Sequence, residues 1–169
     1  ADMFDVTKFT WMPKELPCKL SNERIEMTTL PKTDLWQKTL GFPSEDNAPL
    51  LQMETEAEHF CFTVKAEFSA TGLYDQCGIV LHMDENTWLK ASMEYEDGIR
   101  HLGSVVTNNG YSDWAATDVS AECTEMWYRL TRVGSDFQID SSKDGVHYSV
   151  LRMCHMWNLD RKIRFGLYA

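Results

Sequence analysis

The sequence predicts an all-β protein built as a two-sheet antiparallel jelly-roll sandwich, and three observations point there. Apolar residues recur with period two along most of the chain, no window carries a helical stripe, and turn residues punctuate the alternating runs at regular intervals. A chain of 169 residues fits one domain, so residues 1–169 are expected to form a single unit with its own core.

The elements follow in order. Arg24 to Thr28 alternates briefly. Phe60, Phe62, Val64, Ala66 and Phe68 then form one apolar row, which marks a strand with one face on the core. Between Gln76 and Met83 the core row is Cys77, Ile79, Leu81 and Met83, and the opposite row is Gln76, Gly78, Val80 and His82. From Trp88 to Glu96 the split is cleaner. Leu89, Ala91, Met93 and Tyr95 stand against Trp88, Lys90, Ser92, Glu94 and Glu96.

Asp97-Gly98 and Asn109-Gly110 suit tight hairpins. Gly134-Ser135 should join Tyr128–Val133 to Asp136–Ser141, with Leu130 facing Ile139 and Arg129 facing Asp140. Asp144-Gly145 turns the chain into His147–Met153, and Ile163, Phe165 and Leu167 close with a core-facing row. About ten short strands result.

Composition narrows the function. Hydrophobic residues make up 43% and aromatics 12%, with six Trp, which excludes disorder. The formal charge of −10 repels phosphate backbones and anionic headgroups, so neither nucleic acid nor membrane is expected as a partner. No apolar run approaches the roughly 20 residues that cross a bilayer. The first residues lack the basic and apolar regions of a signal peptide.

Five cysteines without a short metal spacing argue against a disulfide framework or a zinc site. Five dispersed histidines carry no metal-ligand pattern, and no cofactor motif is present. The expected setting is cytoplasmic, with no metal and no cofactor.

The polar row of Trp88–Glu96 is the main candidate site. Side chains two apart on a strand lie about 7 Å from one another on one face, so Lys90, Ser92 and Glu94 form a stripe that Gln76 and His82 extend. Ammonium, amide, hydroxyl, carboxylate and indole groups in one place suit a sugar or polyol, whose hydroxyls need paired donors and acceptors. The competing reading is a plain solvent face.

Tyr111-Ser112-Asp113-Trp114 follows the Asn108-Asn109-Gly110 turn and places two amphipathic rings on a loop. The alternative is a loop folded onto the core, with Asp113 capping backbone amides. Glu94 with Glu96 or Asp113 could also form the carboxyl pair of a glycoside hydrolase, with low specificity.

The runs Tyr74-Asp75-Gln76-Cys77-Gly78-Ile79 and Trp88-Leu89-Lys90-Ala91-Ser92-Met93-Glu94 resemble a known family. So do Ser104 to Asn108, Gly110 to Trp114, Arg129 to Arg132, Ser142 to Gly145 with Leu151-Arg152, and Asp34-Leu35-Trp36. It is the concanavalin A-like domain-of-unknown-function family that includes the fungal regulator-of-enolase protein.

The resemblance implies a lectin- and glucanase-like jelly roll. It places Trp36, Gln76, Lys90, Glu94, Asn108, Ser112, Asp113, Trp114 and Arg129 on the family's polar pattern. It implies no activity. Glu94-Tyr95-Glu96-Asp97 departs from the Glu-x-Asp-x-Glu strand of the glucanases. The family also continues past a Gly-Leu-Tyr-Ala stretch into one more strand, which here would follow Ala169.

Three functions are therefore expected in order: a carbohydrate or polar small-molecule binder using Trp36, Trp88 or Trp114 as a stacking ring; a glycoside hydrolase; and a module that regulates a metabolic enzyme through a protein partner.

Overall fold

The computed structural model describes residues 5–70 and 72–169. Fifteen strands are present among them. In chain order they are β1 (Thr10–Met12), β2 (Cys18–Leu20), β3 (Ile25–Met27), β4 (Leu35–Trp36), β5 (Glu45–Asp46), β6 (Leu50–Thr55), β7 (His59–Glu67) and β8 (Gln76–Asp84). Then come β9 (Thr87–Glu96), β10 (Ile99–Asn108), β11 (Tyr111–Val119), β12 (Glu125–Val133), β13 (Asp136–Ser142), β14 (Ser149–His155) and β15 (Ile163–Tyr168).

A seven-stranded sheet runs β1-β6-β15-β8-β9-β10-β11, and a four-stranded sheet runs β14-β13-β12-β7. Every pairing is antiparallel, as the predicted jelly-roll sandwich requires.

The turns form as their residues demand. Asp97 and Gly98 have φ of 45° and 84°, and Asn109 and Gly110 have 52° and 75°. Both pairs adopt the left-handed backbone of a two-residue hairpin loop. The third hairpin pairs Leu130 with Ile139 and Arg129 with Asp140, the register read from the sequence.

Between the sheets lies the main core. The predicted rows Ile79, Leu81, Met83 and Leu89, Ala91, Met93 meet Phe62, Leu130 and Ile139 there, with Ile163, Phe165 and Leu167. Phe165 stacks on Phe60 with ring centroids 4.6 Å apart and meets Phe62 edge-on at 5.1 Å.

The other side of the large sheet differs from expectation. Residues 34–48 lie across it as a strap, burying Leu35 and Ala48 against Leu50, Val80, Trp88, Val105 and Tyr168. Each large aliphatic side chain so buried contributes about 1.5–3 kcal/mol. The β9 stripe is thus partly a second core. The sequence signal was there, since Val80 and Trp88 interrupt an otherwise polar row.

β15 sits between β6 and β8. Among the described residues β7 pairs with β12 alone, which leaves its other edge free. It borders an open groove of about 740 Å³ walled by β3, β7, the start of β8 and Leu167 to Ala169. Among the described residues no helix is long and apolar enough to cross a membrane.

Candidate functional site: a polar cleft beside Trp114

Beyond the strap, the same face of the large sheet stays open and polar. Two hairpin registers build it. Pairing places Gln76 and His101 on either side of Glu94, and Val80 and Val105 on either side of Lys90, with Trp114 next to Val105. Gln76, Lys90, Ser92, Glu94, His101 and Trp114 therefore line one cleft. It holds about 10 Å³, room for roughly one water or one hydroxyl-sized group.

Lys90 is only 5% exposed. Its Nζ donates to Asp34 Oδ1 at 2.9 Å and to Gln76 Oε1 at 3.1 Å, so the strap and β8 neutralise and solvate a buried ammonium. Gln76 Oε1 also accepts from Tyr168 Oη at 2.9 Å and from Ser92 Oγ at 3.4 Å. These bonds lock the amide, whose Nε2 makes one long bond of 3.5 Å to the Tyr74 carbonyl.

His101 is bridged on both ring nitrogens, by Glu96 at 3.1 Å and by Asp118 at 2.8 Å. Glu94 has no hydrogen-bond or ion-pair partner among the described residues. Burial pushes its carboxyl above the ordinary glutamate range; Lys90 opposes that shift, and the negative charges of Asp34 and Glu96 add to it.

Trp114 stands at the rim, 52% exposed. Its indole lies over Gly103, where a Cβ would come within 3.1 Å of Nε1. The missing side chain lets the ring lie along the sheet and turn its other side to solvent.

Of the predicted site residues, Gln76, Lys90, Glu94 and Trp114 meet in this cleft. Trp88 does not offer a stacking ring: it is 0% exposed, sealed by the strap, with Nε1 donating to the Glu85 carbonyl. Trp36 packs on that second core, edge-on to Phe42 at 6.3 Å. Ser112 is buried and binds the strap through Gln37. Tyr111 is exposed beside Lys38.

Asn108 spends its side-chain amide on the His155 carbonyl and the Trp157 amide. Asp113 points to the other face and pairs with Arg152 of β14 at 2.9 Å. It stands five positions along β11 from Asp118, the residue opposite His101, so the Glu94–Asp113 carboxyl pair does not form. Arg129 faces outward on the four-stranded sheet, over Tyr148 and against Asp140, across the core from the cleft.

Ser92 of the predicted stripe joins the cleft, while His101 and Gly103 were missed. The Asp97-Gly98 loop already implied His101, because a two-residue hairpin sets His101 opposite Glu94. Among the described residues no group of three His, Cys, Asp or Glu is placed to hold a metal. All five cysteines are free, and burial pushes the Cys77 thiol up to about 11.

Fold and cleft together define a jelly-roll sandwich with a small polar cleft on its seven-stranded sheet. Residues 11–169 match the family described as protein of unknown function (DUF1349), and the chain belongs to that family. It is 31% identical over 149 residues to "Regulation of enolase protein 1" of Saccharomyces cerevisiae, across 88% of this chain and 74% of that protein.

The crystal structure of a functionally unknown protein from Saccharomyces cerevisiae superposes with a TM-score of 0.88 at 28% identity, over 98% of this chain and 88% of that one. A GH43_12 protein from a capybara gut metagenome superposes with a TM-score of 0.67 at 12% identity, over 95% of this chain and 32% of that one. The second likeness is one of fold alone.

Proposed function

We propose that this protein binds a carbohydrate or a related polyol at the cleft beside Trp114. The observation that carries this reading is the juxtaposition of a buried Lys90 ammonium, donating to the Gln76 side-chain carbonyl, with the unpaired Glu94 carboxyl and a flat, half-exposed indole. A sugar ring stacked on Trp114 would send one hydroxyl into the cleft, which is sized for one such group. The reading places the protein in the cytoplasm, where five free cysteines stay reduced.

Titration calorimetry with a panel of neutral oligosaccharides tests it. Saturable binding that weakens in Trp114→Ala is expected, and no binding at millimolar sugar by the folded protein would sink the proposal.

A second reading, a module that binds a protein partner, is favoured by the exposed apolar groups around the Asn109-Gly110 turn. Leu40 is 89% exposed, and Phe42, Tyr111 and Trp157 are exposed as well. The yeast relative's name points the same way. Affinity capture with the protein and with Leu40→Asp would decide it. Recovery of the same proteins by both baits would count against a role for this surface.

A further inference from the structure

We propose that the cleft's ligand carries a protonated amine, making it an amino sugar rather than a neutral or acidic one, and that Glu94 receives the ammonium group. The inference rests on the carbohydrate reading above and narrows its ligand class.

Every other charged group at the cleft is already engaged. Lys90 is bound to Asp34, and His101 lies between Glu96 and Asp118. Glu94 alone faces the cleft without a partner, and a half-buried carboxylate in that position is stabilised by a cation from outside. Its surroundings select the sign of that charge. The Asp34 and Glu96 carboxylates act on Glu94 along with Lys90, whose own charge is offset by Asp34. An anionic sugar would meet the Glu94 carboxylate, backed by Asp34 and Glu96, while the Lys90 and His101 side chains are already engaged by carboxylates of their own.

Size and shape agree with the charge. An ammonium group occupies about the volume of a water, which is the room the cleft offers. The Trp114 indole at the rim attracts a cation through its π face and accepts the apolar face of a sugar ring. Gln76 Nε2 on β8 and Ser92 Oγ on the neighbouring β9 stand beside Glu94 for flanking hydroxyls.

Calorimetry on the unmodified protein with three trisaccharides of one linkage tests this: glucosamine, N-acetylglucosamine and glucose units. The pH is set where the amine is protonated and Glu94 ionised. The glucosamine trisaccharide should bind about tenfold more tightly than the other two, the gain of one partly desolvated charge pair. Glu94→Gln should bring its affinity down to that of the neutral sugars, and Glu94→Asp should keep part of the preference.

Equal affinities for all three overturn the amine assignment and leave the carbohydrate reading standing. Binding of none overturns both.

Discussion

Lys90 Nζ donates to Asp34 Oδ1 across 2.9 Å, tying the large sheet to the strap that covers it. Glu94 lies four residues along the same strand, on the same face, and makes no bond to this lysine. The strap takes that place and leaves Glu94 unengaged. One ion pair thus both fastens the strap and shapes the cleft.

Removing Asp34 should test the fastening. Asp34→Ala strands an ammonium that is 5% exposed, although the aspartate side is itself half open to water. A loss of about 1–3 kcal/mol is expected in urea denaturation, below the cost of breaking a fully buried pair. Lys90→Met in the same background should recover part of it, because no buried charge then remains.

Glu94→Gln should raise stability in a pH-dependent way. Burial raises the folded-state pKa of Glu94 above its ordinary value of 4.5, so the folded protein binds this proton more tightly than the unfolded chain. The cost of ionising it is absent below 4.5, grows as pH rises towards the raised value, and is complete above that value. Thermal melting should show the variant more stable near neutrality and no different in acid. The opposite trend would mean that Glu94 is stabilised as a carboxylate.

Ser112→Ala should loosen the strap without touching the cleft. The buried hydroxyl accepts from the Gln37 amide at 2.8 Å and shares a 2.7 Å bond with Thr107 Oγ1. Leaving those groups unpaired costs about 1–3 kcal/mol. The Gln37 amide proton should exchange faster, and an unchanged Gln37 exchange rate would refute the anchoring role.

Leu40→Gly should stabilise the protein. Leu40 holds φ 58° at 89% exposure, so it bears the steric cost of the left-handed region with little burial in return. Glycine removes that cost and adds some unfolded-state entropy, for a net gain of up to about 1 kcal/mol in chemical denaturation. A loss of stability would show that the leucine packs in solution.

Much of the fold was legible because period-two alternation and two-residue turns are local signals. The Gly134-Ser135 hairpin fixed its own register, and the core rows of β8 and β9 could be read directly. The cleft was legible only where pairing was local, as for Gln76, Lys90 and Glu94. The Asp34 partner of Lys90 lies 56 residues away on an irregular strap, and no periodicity encodes that contact. Asp113 and Trp114 are neighbours in sequence, yet alternation sends them to opposite faces of the sheet. Reading Tyr111–Trp114 as a loop hid that separation, because the segment is strand from Tyr111 onward.

Strand β9 is buried continuously from Thr87 to Met93, with the main core on one side and the strap's smaller core on the other. Its backbone amides are paired to β8 and β10 along nearly its full length. Those amides can meet solvent only when both cores part together. The strand that carries Lys90 and Glu94 should thus also be the slowest clock in the molecule, and its rate of deuterium uptake should report the free energy of global unfolding.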